Sequence, residues 1–253
     1  MRYHSRGSVS VQGVLLAILC VSLSTSCASR GKPLIASDGK TQYAVVLPDQ
    51  ATEPEKFAVR ELTNFLNRVT GASFPVAAES AQPEEGGRIY VGWTKYAAAN
   101  GIDAAKLGEE EWIIQSMGKD LILTGGYPRG TIYAVYEFLE REVGCHWLDR
   151  DTEVIPSKPT LELTALNIRG KPAIWQRYIY TAFQKVAPTD DMMERQKMFW
   201  IRNKCNCQVL ASGWPTVGGV YKVNGSGGTG HTFSNYVNGA DWFESHPEYF
   251  SLN

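Results

Sequence analysis

The 253-residue chain has almost no net charge, with 25 lysines and arginines against 26 aspartates and glutamates. Neutralising phosphates takes a basic excess, so this balance argues against nucleic acid as a partner. Disorder is disfavoured too, because 43% of the residues are apolar and unfolded chains combine low hydrophobicity with high net charge. Cysteine is scarce: Cys20, Cys27, Cys145, Cys205 and Cys207 follow no regular spacing, which excludes a disulfide framework. No C-x-x-C pair occurs, and a zinc site from Cys145, His146, Cys205 and Cys207 is set aside. On a strand Cys205 and Cys207 would point to opposite faces, so buried thiols are expected. No P-loop lysine and no G-x-S-x-G elbow is present. Neither a metal nor a cofactor is expected.

The apolar run Val14 to Val21 follows Arg2 and Arg6 and is too short for the ~20 residues of a membrane-spanning helix. Small residues and Cys27 come next, the order of an export signal. Residues 1–27 are therefore expected to be a signal peptide, either of lipoprotein type with Cys27 as the lipidated residue or simply cleaved near Ala28. The lipoprotein pattern usually has Leu three residues before the cysteine, where this chain has Ser24. A lipid anchor would be the only membrane contact, and the expected location is the periplasm, the outer membrane or the exterior.

Tyr43 to Leu47 reads as a strand. Thr52 and Glu55 make a capping box, and Ala58, Leu62, Phe65, Leu66 and Val69 then mark one helical face as far as Gly71. Residues 74–77 and 88–93 are further strands, and 111–116 with 120–124 form a hairpin about Gly118 and Lys119. A second helix follows Gly125, Gly126 and Pro128, with Ile132, Val135, Tyr136, Leu139 and Val143 on one face and Gly144 as its cap. The fold class is α/β, with helices packed on an N-terminal sheet over residues 30–165. After Lys171 aromatic residues become about twice as frequent. A strand over 173–180, a helix over 191–202 and a strand over 205–210 are expected there, followed by a Gly-rich loop over 211–230.

The run Gly225 to Gly230 matches G-x-G-x-x-G, but no helix pattern follows it, so a loop is the better reading. His231 and His246 each lie among aromatic residues. Paired carboxylates could act on a glycosidic bond, yet Asp190, Asp191, Asp241 and Glu244 sit where acids start helices. Neither Glu194 nor Glu248 completes a convincing pair. Trp214, Tyr236, Trp242 and Tyr249 could stack on sugars or fill a core.

The stretch GGYPRGTIYAVYEFLEREVGCHWL, Gly125 to Leu148, resembles the end of the domain that precedes the catalytic barrel in bacterial alpha-glucuronidases. A similar domain occurs in beta-hexosaminidases. The resemblance runs from Tyr43 to Pro156, its specific parts being Arg129-Gly130-Thr131, Tyr133 to Phe138, and Trp147. His146 departs from it, the expected residue being Arg. FWIRNKCN from Phe199, GHTF from Gly230 and HPEYFSLN from His246 resemble the start of a barrel domain that follows it in exported bacterial proteins.

The resemblance implies a glycoside hydrolase acting in polysaccharide degradation on a polysaccharide or oligosaccharide substrate. A whole (β/α)8 barrel takes about 250 residues, so residues 171–253 are expected to hold only its first strand-helix units, an incomplete barrel. The chain is expected to be inactive alone, and no catalytic residue is assigned. Arg177, Trp214 and His231 are the expected substrate-binding residues, through a carboxylate or carboxylated sugar, ring stacking and a hydroxyl respectively. Residues 30–165 are expected to brace the barrel. The competing expectation is a non-catalytic glycan-binding surface lipoprotein.

Overall fold

Thr52 and Gly71 fix the ends of the first long helix, α1 (Glu53–Thr70). Thr52 Oγ1 accepts from the Glu55 N–H, and the Glu55 carboxylate accepts from the Thr52 N–H at 2.8 Å. This is the reciprocal capping box expected of the sequence. At the other end Gly71 has a φ of 75° and its N–H bonds to the Asn67 carbonyl, a left-handed ending that a Cβ would disfavour. Between these ends Leu62, Phe65 and Leu66 are completely buried, each contributing roughly 1.5–3 kcal/mol of apolar transfer.

The computed structural model describes residue 1 and residues 31–174, 177, 189–206 and 237–250. Its strands are β1 (Leu34–Ala36), β2 (Tyr43–Leu47), β3 (Val76–Ala78), β4 (Gly87–Val91), β5 (Trp112–Met117), β6 (Asp120–Gly125), β7 (His146–Trp147), β8 (Glu153–Val154), β9 (Leu161–Glu162) and β10 (Asn167–Gly170). The other α-helices are α2 (Lys95–Ala99), α3 (Gly130–Phe138), α4 (Asp190–Arg202) and α5 (Gly239–Trp242). No helix among the described residues is long and apolar enough to cross a membrane.

Six strands form the central sheet in the order β10-β5-β6-β4-β2-β3. β3, β2, β4 and β6 run parallel to one another, whereas β5 pairs antiparallel with both of its neighbours, β6 and β10. Side chains alternate across a strand, and the two faces separate by residue parity. Val45, Ile89, Val91, Leu121 and Leu123 pack with α1 and α3 in the main core. Ala44, Val46, Tyr90 and Ile122 face the other way and meet Ala97 of α2 and Ile102 in a smaller cluster. The strands in the middle are buried on both faces, which is why they read as unbroken apolar runs.

α3 is buried almost all round, with Tyr133, Val135 and Tyr136 at most 1% exposed. It widens into a π turn at Leu139–Val143 and ends on Gly144 at φ 90°. Its entry is crowded: a Cβ on Gly126 would collide with the Gly108 carbonyl, and one on Gly130 with the Glu111 carbonyl. These glycines let the loop before β5 lie directly on the turn into α3.

The expected hairpin is β5 and β6, paired from Trp112↔Gly125 to Met117↔Asp120. β10, lying beyond residue 165, adds the strand beside β5 and sets Gly170 against the Trp112 indole. α4 carries the expected helix after residue 189, and its Trp200 and Ile201 join the same core as α1 and α3. Arg202 bonds Glu61 of α1 at 3.0 Å and Glu153 of β8 at 2.6 Å, and Lys204 reaches Glu137 of α3 at 3.0 Å. Thus α4 closes over the helical layer. Ala173, Ile174, Arg177, Cys205 and Asn206 are in no strand. The rest of the strands expected over 173–180 and 205–210 lies outside the described residues. Cys145 is buried, and burial pushes its thiol up to about 11. Cys205 is buried too.

Candidate functional site

The loop before β5 carries three consecutive acids, Glu109, Glu110 and Glu111, and they point to different places. Glu111 pairs outward with Arg169 at 2.5 Å. Glu110, only 8% exposed, turns inward, and its Oε1 accepts from Arg129 Nε at 3.0 Å, Tyr133 Oη at 3.1 Å and Asn206 Nδ2 at 3.0 Å. Arg177 adds an ion pair to the same oxygen at 2.9 Å. Glu109 remains at the edge, 3.4 Å from Arg129.

Arg177 is held from several directions. Its Nε donates to the Lys204 carbonyl at 2.6 Å, one terminal nitrogen donates to the Ile174 carbonyl at 2.6 Å, and the other reaches Tyr133 Oη at 3.2 Å. Its backbone N–H donates to Asn206 Oδ1 at 2.8 Å, and its carbonyl accepts from the Asn206 N–H. Burial works against the Arg177 charge, but the bond to Glu110 and the Tyr133 contact outweigh it, and the pKa is raised. Burial, helped by the Glu110 charge, raises the Tyr133 phenol as well, so it remains a proton donor. Among the described residues the carboxylate that pairs with Arg177 is Glu110. Trp214, His231 and Cys27 lie outside the described residues.

The other acids considered in the sequence have local partners or places. Asp190 and Asp191 open α4 behind the Thr189 cap, and Asp191 pairs with Arg195 at 2.7 Å. Glu194 lies 3.6 Å from Lys197. Asp241 sits in the first turn of α5 behind Asn238. Glu248 meets His246 at 2.9 Å, and that hydrogen bond lowers its carboxyl pKa. His246 in turn stacks on Tyr249, with ring centroids 4.7 Å apart. Among the described residues no three His, Cys, Asp or Glu side chains cluster as metal ligands would.

A cleft of about 280 Å³ opens where β2, β4 and β6 end, the carboxyl edge at which parallel α/β sheets bind ligands. Gln50 and Thr52 line it from the β2–α1 loop, Trp93 from beyond β4, and Tyr127, Pro128 and Thr131 from the turn into α3. Glu55 forms part of the wall but is occupied: Oε2 accepts from the Thr52 N–H and hydroxyl, and Oε1 from the Trp93 N–H at 2.8 Å. Gly92 leaves room for that carboxylate, which a Cβ would strike. Trp93 also donates from Nε1 to the Gly125 carbonyl at 2.6 Å, which fixes its indole. Trp93 is 43% exposed and Tyr127 57%.

Glu110 and Trp93 were not singled out in the sequence, and Thr131 only as part of the Arg129-Gly130-Thr131 turn. Glu110 carried one local signal, an acidic run abutting a strand. Nothing local shows which of the three acids turns inward.

Residues 36–138 match the model described as the glycosyl hydrolase family 67 N-terminus. The match includes the Arg129-Gly130-Thr131 turn and Tyr133 to Phe138. No curated protein matches the chain. Among solved structures, the chain is similar to a family GH115 4-O-methyl-alpha-glucuronidase described as having specificity for decorated arabinogalactans. That similarity has 17% identity and a TM-score of 0.46, and covers 69% of this chain and 25% of that one. It is also similar to a GH138 enzyme targeting pectin rhamnogalacturonan II, at 17% identity and a TM-score of 0.35, over 65% of this chain and 18% of that one. The chain therefore spans about a quarter or less of the length of these two.

Glu110→Gln keeps the shape of the buried junction but removes the charge facing Arg129 and Arg177. A loss of about 3–5 kcal/mol of stability is expected, as for other buried pairs deprived of one partner. Urea unfolding checks it, and an unchanged midpoint would mean the network is not stabilising.

Proposed function

Starting from an alpha-glucuronidase N-terminal-like domain at residues 36–138, we propose that this chain is the N-terminal portion of an exported glycoside hydrolase acting in polysaccharide degradation. The observation that carries this reading is the family match. In this reading residues 30–165 are the accessory layer, and residues 171–253 begin the catalytic barrel. The substrate is a polysaccharide or oligosaccharide bearing a uronic acid. Trp214 and His231 touch the sugar, one by stacking and the other by donating to a hydroxyl. Arg177, the third residue expected at the sugar, pairs with Glu110 in the structure.

The described carboxylates support placing the chemistry elsewhere. Glu55, Glu61 and Glu110 each hold the structure together through hydrogen bonds that a catalytic acid would have to give up. The chain alone is accordingly expected to be inactive. Residues 1–27 direct export, with Cys27 as the lipid acceptor.

The full-length product of the gene that encodes this chain is expected to release uronic acid from aldouronic oligosaccharides. His231→Ala in that product should lower kcat, and an unchanged kcat and KM would make His231 structural. Glycan binding with no turnover at all would replace the hydrolase by a non-catalytic glycan-binding lipoprotein.

The anchor is tested separately. Cys27→Ser should abolish incorporation of labelled palmitate and move the protein from the membrane fraction to the soluble fraction. Equal fractionation of both forms would leave simple signal cleavage as the route.

A further inference from the structure

We infer that the cleft at the carboxyl edge of the sheet is a binding subsite for a single neutral pyranose unit of a polysaccharide. This places a ligand on the layer otherwise expected only to brace the barrel, and it rests on the polysaccharide-degrading reading.

The first observation is the pair of aromatic side chains. Trp93 and Tyr127 stay 43% and 57% exposed in a layer whose other large rings are mostly packed away. The Trp93 indole is fixed in place by its bond to the Gly125 carbonyl. A rigid, exposed aromatic face offers a flat apolar platform for the C–H face of a sugar ring while the sugar's hydroxyls remain in water. Pro128 continues that apolar surface.

The second observation is independent of the rings. Thr131 is 4% exposed as a residue and lines the cleft, and its hydroxyl is not one of the side-chain atoms sealed away without a partner. A sugar hydroxyl entering the cleft would bond to it in place of water. Gln50, at the exposed rim, adds a carboxamide able both to donate and to accept.

Charge and size then select the ligand. Among the described residues no lysine or arginine lines the cleft, and the Glu55 carboxylate forms part of its wall. A uronate or phosphate would meet that charge uncompensated, so a neutral sugar fits better. The α1 N-terminus, which could otherwise attract an anion, is already closed by the capping box. At about 280 Å³ the cleft lies at the small end of ligand sites, which usually span about 300–1,000 Å³. One ring fits, with its neighbours in the chain left outside.

The test is calorimetric titration of the full chain with xylohexaose, cellohexaose and galactohexaose, and with a tri-galacturonate as the charged comparison. Binding of at least one neutral hexamer is expected, with the trianion weaker. Tyr127→Ala removes an exposed ring and should weaken binding about tenfold, and Thr131→Val should weaken it about threefold to tenfold. Tyr127→Ala, at an exposed position, should unfold within about two degrees of the parent, since ordinary surface changes stay within about ±0.5 kcal/mol, and binding by Thr131→Val is read well below its own unfolding midpoint. Absence of binding by every neutral hexamer, preference for the trianion, or binding indifferent to both substitutions would overturn the inference. Uronic acid release by the whole gene product is read in parallel. Hydrolysis without binding at the cleft overturns this inference alone, and binding at the cleft without hydrolysis overturns the enzymatic reading alone.

Discussion

The Glu110 carboxylate is buried beneath two guanidinium groups, a phenol and a carboxamide, and the junction between the sheet layer and the residues after it is built on that charge. A lone carboxylate at 8% exposure would be costly. Here it becomes tolerable because the donors come from separate parts of the chain: Arg129 and Tyr133 from the start of α3, Arg177 from before α4, and Asn206 from after it. Apolar contacts alone would let these segments slide past one another. Directional bonds to one oxygen allow a much narrower set of approaches, which is the best-attested use of buried ionic groups. Lys204 and Arg202 extend the same logic along α1 and α3 through Glu137, Glu140 and Glu61.

The main elements were legible because each rests on a signal contained within a few residues. Thr52, Glu55 and Gly71 mark α1 by local hydrogen bonding and one left-handed φ. The stripe from Ile132 to Val143 marks α3 and its π turn, and every residue named on it is at most 1% exposed. β2, β4, β5 and β6 were found within a residue or two of their ends. The short strands β1, β7, β8, β9 and β10 were missed, since two to four residues are too few to show an alternation. The strand expected at 74–77 begins only at Val76. Pro75 precedes it and gives its carbonyl to the Val45 N–H, which ties that segment to β2 without making it part of the ladder.

The candidate sites were less legible for a different reason. Arg177 was singled out within the strand expected over 173–180, but the identity of its carboxylate partner depends on a residue 67 positions earlier, in a loop with two other acids. Trp93 and Tyr127 are 34 positions apart, and only the parallel order β4-β6 brings their loops to one edge. Long-range pairing of this kind leaves no trace in local periodicity. The family match reaches the same stretch by another route, because it covers Arg129 and Thr131 together.

That short turn joins the two functions. Arg129 turns inward to Glu110, and Thr131, two residues later, lines the cleft. Gly130 between them must lack a side chain because the Glu111 carbonyl occupies the space where a Cβ would be. The loop that supplies Glu110 therefore presses on the backbone that positions Thr131. Trp93 is tied to the same place, since its indole N–H ends on the Gly125 carbonyl at the start of the turn. The anchoring network and the aromatic cleft thus share one rigid stretch of backbone, residues 125–131.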